Sequence, residues 1–265
     1  MKALKVFSVV VLLLLRTAAI SLWAQDKPTA VPAEIDMSDF YPLGFSTVDE
    51  VLFAKFGLDL PWSDEVTFTN ESQHEYVDLG LSVKWATCNI GADKPEEYGD
   101  YYAWGELEPK EVYDWFSYKW CNGSSDTLTK YNPFKGEGIV DSITTLDPED
   151  DVAHVKWGGS WRMPTASEYR ELVDNCKWTW KSVNGINGYV VKSRIKGYRD
   201  RSIFLPAAGY CYDKKLSSAG EVAYYWSNSL FDFPISAKSL LLSSDDFCRH
   251  FCSRFVGNPV RPVCP

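Results

Sequence analysis

The chain has 265 residues, a formal net charge of −9 and an aromatic content of 15%. An acidic surface repels phosphate backbones, and no cluster of lysine or arginine offsets this charge, so nucleic acid is not an expected partner. The hydrophobic content of 45% is enough for one well-packed domain with an additional segment.

The first 24 residues have the pattern of a secretory signal peptide. Lys2 and Lys5 form the charged start, and residues 6–15 form an apolar core, shorter than the roughly 20 residues of a membrane span. We therefore predict export to the periplasm, the outer surface or the medium, with no membrane span. Cleavage after Ala24 also removes Arg16, and the loss of three basic residues changes the net charge from −9 to −12.

Residues 25–73 are predicted to form a tether followed by a short helical appendage. The tether is polar and contains Pro28 and Pro32. The apolar side chains of the appendage fall on one helical face, and they are Val48, Val51, Leu52 and Phe56. The sequence does not indicate what this segment does.

Residues 74–265 are predicted to form the main domain, which begins and ends with a short strand. Apolar side chains occupy every second position from Val77 to Trp85, the period of a half-buried strand. The final stretch, residues 257–265, is also prone to form a strand and ends next to Cys264. If the domain closes on itself, these two strands pair with each other.

Two helices are predicted between these strands. Asp147 is a candidate N-cap before Pro148 for a helix that continues through Val152 to Lys156, and Thr165 and Glu168 have the spacing of a capping box before Tyr169 to Cys176. The remaining chain alternates in short β-prone stretches, which we place at residues 188–192, 202–212, 221–230, 235–243, 247–256 and 260–264. The fold class is therefore predicted to be α+β, with short, mainly antiparallel strands, two short helices and long loops.

Six motifs occur in order over almost all of this domain. They are VDLGLSVKWATCNIGA (77–92), EYGDYYAWGE (97–106), WGGSWRMPT (157–165), IFLPAAGY (203–210), YYWSNS (224–229) and VRPV (260–263). Together they resemble the Fibrobacter succinogenes major paralogous domain, a family of exported bacterial domains. The resemblance implies a C-type-lectin-like fold related to the formylglycine-generating enzymes. It also implies a non-catalytic surface or secreted module that binds a ligand.

In lectin-like folds the loops before the last strand contact the ligand, which here corresponds to residues 226–254. Rings beside carboxylates, amides and arginines suit a glycan or a protein ligand, because rings cover apolar faces while polar groups fix orientation. The alternative is that these residues are strand packing and solvated surface charges. The candidate ligand-binding residues are Trp226, Asn228, Phe231, Asp232, Phe233, Asp245, Asp246, Arg249, His250 and Arg254.

The seven cysteines allow disulfide bonds after export, and their odd number leaves at least one outside any bond within the chain. The lectin-like fold would place Cys88 beside Cys264, our first candidate pair. Cys121 with Cys176 is the second candidate, and Cys211 could pair with Cys248 or Cys252. Free or merely buried thiols are the alternative.

The spacing of Cys248 and Cys252 argues against a bond between these two cysteines. Four residues of extended strand span about 13 Å, which is too far for a disulfide. The related formylglycine-generating enzymes use a cysteine pair with copper near this end of the fold, but the spacing between the two cysteines is different in this chain. A metalloenzyme of that type is therefore one alternative function, and a structural surface component that docks through residues 37–61 is another.

No catalytic or metal-binding motif is present in the sequence. The acidic group Asp147, Glu149, Asp150 and Asp151 has the order of a helix N-terminus and lacks the alternating oxygen ligands of a calcium loop. Trp104, Trp157, Trp161 and Trp226 are predicted to be core residues. We expect neither catalysis nor a cofactor or metal, and the oligomeric state is not indicated.

Overall fold

The computed structural model of the protein describes residues 74–265, which belong to one compact unit. The predicted signal peptide, tether and helical appendage lie outside the described residues. No helix in residues 74–265 has the length and apolar character that crossing a membrane requires.

Short strands dominate the described part of the chain, with two α-helices and one 3₁₀ turn between them. The helices are α1 (Val152–Trp157) and α2 (Ala166–Asn175), and the turn is Pro148–Asp150. The strands are β1 (Tyr76–Val77), β2 (Lys84–Ala86), β3 (Cys176–Val183), β4 (Ile186–Ser193), β5 (Ser202–Pro206), β6 (Tyr210–Tyr212), β7 (Lys215–Ser217), β8 (Val222–Leu230), β9 (Ser236–Ser243), β10 (Phe247–Ser253) and β11 (Val263–Cys264).

These strands form four small sheets, and every pairing between the named strands is antiparallel. Their orders are β1-β2-β11, β3-β4-β5, β6-β7 and β8-β9-β10. The predicted class, α+β with mainly antiparallel short strands and few helices, is confirmed. Two strands were missing from the prediction, β3 and the three-residue β7. β3 follows α2 directly, without a glycine or proline to mark the change.

The two ends of the domain pair, as predicted, through β2 and β11. Val263 of β11 lies opposite Trp85 of β2, and β1 pairs with the other edge of β2. The alternating segment is not one continuous strand, because it turns between β1 and β2. Gly80 has a φ of +75° in this turn, and its amide donates to Asp78 Oδ1 at 2.8 Å. The alternation predicted burial correctly at Leu79 and Trp85, but not strand continuity.

The capping box of α2 is confirmed. The Glu168 amide donates to Thr165 Oγ1 at 3.1 Å, and the Thr165 amide donates to Glu168 Oε2 at 2.7 Å. Tyr169 and Leu172 of this helix are buried. The helix is thereby fixed at its start and along its inner face.

The cap of α1 lies four residues later than predicted. Asp147 makes no capping bond with its side chain; instead Pro148 begins the 3₁₀ turn, and the backbone becomes extended at Asp151. Asp151 Oδ1 then accepts the amides of Ala153 at 2.9 Å and His154 at 3.2 Å. The proline and the acidic residues therefore form two short consecutive elements rather than one helix.

Large aromatic side chains fill the interior in two main clusters. Trp104 and Trp226 belong to one cluster, and Trp85 and Tyr169 belong to the other. Trp104, Trp161 and Trp226 are buried, in agreement with the prediction, and the partly buried Trp157 packs against Trp161.

Two arginines are fully buried among these aromatic side chains, Arg254 and Arg261. Arg261 Nε donates to Asn89 Oδ1 at 2.8 Å, and its Nη1 donates to the carbonyls of Ala86 and Thr87. Because Arg261 precedes β11 and these acceptors lie at the end of β2 or just after it, the arginine ties the end of the domain to its beginning.

Candidate functional site

A groove of about 590 Å³ lies between helix α2 and the β8-β9-β10 sheet. Helix α2 supplies Ala166, Ser167, Tyr169 and Arg170, while the sheet and the loop after β8 supply the other lining residues. Those residues are Ser227, Ser229, Phe231, Lys238, Ser239, Arg249, His250 and Phe251. The volume falls in the range of about 300–1,000 Å³ that is usual for ligand sites.

Stacked rings form the apolar part of the groove. Phe231 stacks on Phe251 with ring centroids 4.0 Å apart and planes 13° apart, and His250 lies 5.3 Å from Phe251 at 14°. The exposed fractions of Phe251 and of the neighbouring Phe233 are 45% and 67%. These rings therefore present apolar faces to solvent in one place, where a ligand can cover them.

Serine hydroxyls line the opposite part of the groove, where β8 changes register between Trp226 and Leu230. Ser227 Oγ donates to the Lys238 carbonyl at 2.7 Å, and Ser229 Oγ accepts the Ala166 amide at 3.2 Å. The second bond joins β8 to the first residue of α2. The serines are thus held by the scaffold. Ser227 is fully buried, whereas Ser229 is partly exposed, and its hydroxyl, which already donates to Asn228 Oδ1 at 3.1 Å, can accept a further hydrogen bond from a ligand.

Of the residues that the structure describes, three cations and no acidic residue line the groove. They are Arg170 of α2, Lys238 of β9 and Arg249 of β10, and Lys238 lies opposite Phe251 in the sheet register. None of the three belongs to an ion pair among the described residues. His250 Nδ1 is buried and makes no hydrogen bond within the described part of the chain.

The structure brings three of the predicted ligand-binding residues together in this groove: Phe231, Arg249 and His250. Phe233 packs near Phe231 with a centroid distance of 6.0 Å. Three predicted carboxylates are exposed but do not line the groove, and these are Asp232, Asp245 and Asp246. The predicted face therefore contributes its rings and its cation, but not its acids, to the groove.

Three other predicted ligand-binding residues are buried, so those predictions are corrected. Trp226 is fully buried, and its Nε1 donates to the Tyr102 carbonyl at 2.7 Å. Asn228 is buried, and its backbone bonds to Pro164 and Leu146. Arg254 is enclosed in the core. These side chains hold the scaffold and present nothing to a ligand.

The remaining lining residues were not predicted, with Arg170 and Lys238 the most important. Arg170 lies on α2, about 60 to 80 residues before the groove residues that the sheet and the loop after β8 supply. Its position in the pattern of the helix indicates only an exposed charge. Lys238 is the one charged residue of its strand, and this was the one available signal. Neither residue could be assigned to a site until the helix and sheet were packed together.

The predicted disulfide partners are not brought together. In the β2–β11 register Cys264 lies opposite Lys84, four residues from Cys88, and Cys88 carries a free thiol. Cys121 belongs to one aromatic cluster and Cys176 to the other, and both are free thiols. The ends of the domain are joined by strand pairing and by Arg261 rather than by a disulfide bond.

Cys248 and Cys252 lie on the extended strand β10, as their spacing predicted. They face Leu241 and Ala237 of β9, and both are thiols, as is Cys211. Burial raises the pKa of Cys211 and of Cys252 to about 11, so both are protonated near neutral pH and are weak nucleophiles. Within residues 74–265 no group of three histidine, cysteine or acidic residues is arranged to hold a metal ion.

The acidic group before α1 is occupied by protein contacts. Lys130 Nζ lies 2.6 Å from Asp147 and 2.8 Å from Asp150, and Tyr131 donates to Asp150 at 2.6 Å. Burial alone would raise the pKa of Asp150, but the hydrogen bonds from Lys130 and Tyr131 hold that pKa below its usual value. These carboxylates therefore serve as structural acceptors.

The groove offers stacked rings, fixed hydroxyls and positive charge, which are means of holding a ligand. Of its titratable side chains, Tyr169 is buried and donates its hydroxyl to the Trp226 carbonyl at 3.2 Å. Burial raises the pKa of Tyr169 well above its usual value, so this phenol stays protonated.

No protein-family model matches the chain, and neither a curated protein nor a solved structure matches it.

Proposed function

We propose that the protein is an exported, non-catalytic module that binds a glycan in the groove between α2 and the β8-β9-β10 sheet. The observation that carries the proposal is the stacked pair of the half-buried Phe231 and the exposed Phe251, beside Ser229 of β8. Aromatic rings pack against the apolar faces of sugars, and hydroxyls exchange hydrogen bonds with sugar hydroxyls. A protein ligand is the competing occupant.

The proposal includes a C-type-lectin-like fold and membership of the Fibrobacter succinogenes major paralogous family. The six ordered motifs support it, and so does the pairing of the two ends of the domain. The position of the groove also supports it, because Phe231, Arg249 and Phe251 belong to the segment before the last strand. Export is proposed from the signal-peptide pattern of residues 1–24.

Binding to a set of neutral and charged oligosaccharides, measured by calorimetry, tests the proposed function. We expect Phe251→Ala to weaken binding at least tenfold, because truncation of an aromatic side chain that anchors a ligand costs about 2 kcal/mol or more. Phe116→Ala is the matched control, since Phe116 is 88% exposed and does not line the groove. It should leave binding unchanged.

Two results would contradict the proposal. Equal losses in the Phe251 and Phe116 variants would show that the groove is not the binding site. Binding to peptides or proteins in the absence of binding to any saccharide would reject the glycan and favour the competing occupant. Circular dichroism of each variant verifies that the fold is retained before binding is compared.

A further inference from the structure

The positive charge of the groove is unusual for this protein. The chain carries a net charge of −9, yet the charged residues that line the groove are all cations. Elsewhere in the described part, several lysines and arginines contact carboxylates, such as Lys110 with Glu106 at 2.9 Å and Arg162 with Glu168 at 2.5 Å. The cations of the groove have no such partners among residues 74–265, so within this part of the chain they are available to a ligand.

These cations come from three separate elements and meet beside the stacked rings. Arg170 belongs to α2, Lys238 to β9 and Arg249 to β10, and the register places Lys238 directly opposite Phe251. Opposed residues in an antiparallel pair have Cβ atoms about 4.5–5.5 Å apart, so one ligand can contact the ring and the ammonium together. The packing of helix on sheet thus creates a compact positive site next to an apolar one.

We propose that the groove binds an anionic saccharide whose carboxylate or sulfate groups contact Arg170, Lys238 and Arg249 while a sugar ring packs on Phe231 and Phe251. This inference rests on the proposed glycan-binding function and specifies the chemistry of the glycan. Hydrogen bonds between charged partners are shorter and stronger than neutral ones, and arginine can bind a carboxylate with two parallel bonds. The overall negative charge repels anions at long range, so selectivity must come from these short contacts.

The test compares saccharides that differ only in charge. Oligogalacturonate is compared with its methyl ester for carboxylates, and dextran sulfate with dextran for sulfates. We expect the charged member of one pair to bind at least tenfold more tightly than its neutral counterpart. The pair that shows the preference identifies whether the carboxylate or the sulfate is the recognised group.

Variants connect this preference to the groove. Arg249→Gln should weaken binding of the charged saccharide about threefold or more, as expected for one partly exposed ion pair, and the triple variant R170Q/K238Q/R249Q should abolish the preference. Lys196→Gln is the matched control, because Lys196 is exposed, has no ion pair among the described residues and does not line the groove. It should leave the preference unchanged.

The outcomes separate this inference from the proposed function. If charged and neutral saccharides bind equally and Phe251→Ala still removes binding, the glycan function stands and the anionic preference is overturned. The same applies if Lys196→Gln lowers the preference as much as Arg249→Gln, because the effect would then reflect net charge alone. If none of the saccharides binds, both proposals are overturned.

Discussion

Arg249 and Arg254 are close in sequence, yet one belongs to the binding groove and the other to the core. Arg254 is fully buried and donates to Tyr118 Oη at 2.8 Å and to the carbonyls of Tyr131 and Pro234. Arg249 is exposed, lines the groove and has no ion pair within residues 74–265. The same residue type therefore stabilises the scaffold at one position and leaves a charge for a ligand at the other.

The contrast extends to the regions around the two arginines. Around Arg254, the ring centroids of Trp104 and Tyr118 lie 5.1 Å and 5.2 Å from the guanidinium carbon, so the charge is enclosed by rings and carbonyls. In the groove that Arg249 lines, Phe251 is exposed and Phe231 is half-buried. Substitutions in the first region should change stability, whereas substitutions in the second should change binding.

The largest expected effect is that of Arg254→Met. The substitution keeps an unbranched side chain in the core but removes the donors of at least three buried acceptors, which should lower the free energy of unfolding by about 3 kcal/mol. Urea denaturation measures the change, and Arg249→Met is the matched control. A loss below about 1 kcal/mol for Arg254→Met would contradict the structural role assigned to that residue.

A second prediction concerns Asp151, which joins α1 to the segment before α2. Its carboxylate accepts the Met163 amide at 2.8 Å in addition to the two amides of α1, and it is 4% exposed. Asp151→Ala should destabilise the protein by about 2 kcal/mol, because three amides lose their acceptor. Asp151→Asn, which keeps one oxygen, should cost less; an equal cost for both variants would argue against the capping explanation.

A third prediction is a dependence of stability on pH at the start of α2. Burial alone would raise the pKa of the Glu168 carboxyl. The hydrogen bonds from Arg162 and Thr165 have the larger effect and hold that pKa below its ordinary value of 4.5. The unfolded chain therefore takes up the proton first as the pH falls, so this contribution is present above about pH 4.5 and is lost below it. Thermal unfolding of the wild type and of Glu168→Gln between pH 6 and about pH 3 measures it. The difference between the two proteins should shrink toward low pH, and a constant difference would reject the mechanism.

The smallest expected effect on stability is that of Arg249→Met. Arg249 is an exposed side chain without an ion pair, so the free energy of unfolding should change by no more than about 0.5 kcal/mol. Urea denaturation under the conditions used for Arg254→Met gives a direct comparison. A loss comparable to that of the Arg254 variant would mean that the groove is part of the scaffold and would remove the contrast between the two regions.

The sequence predicted local features of the fold well. The capping box of Thr165 and Glu168, the burial of Leu79 and Trp85 and the antiparallel character of the strands were all predicted correctly. Each depends on neighbours within a few residues or on a period of two or 3.6 residues. The cap of α1 was misplaced because Asp147 and Asp151 are both suitable acceptors, and the choice between them depends on the Met163 amide, twelve residues further on.

The candidate site was only partly predictable, because it too depends on contacts between residues that are far apart in the sequence. The sequence indicated the segment that contains Phe231, Arg249 and His250, but it could not distinguish Arg249 from the buried Arg254. It gave no reason to connect Arg170 with Lys238, which lie on different elements. Strand register and helix packing decide which side chains share a groove, and both depend on contacts between distant parts of the chain.

By itself, the sequence determined the acidic character of the protein, the capping of α2 and the alternation that buries the first strands. It predicted the pairing of the two ends only on the condition that the domain closes on itself. Only the tertiary structure decided that Trp226 and Arg254 belong to the core, that the cysteines form no predicted pair and that three cations meet beside two stacked rings. Local patterns fix hydrogen bonding and amphipathic faces over a few residues. Burial and the meeting of separate side chains are fixed only when the helix packs on the sheet.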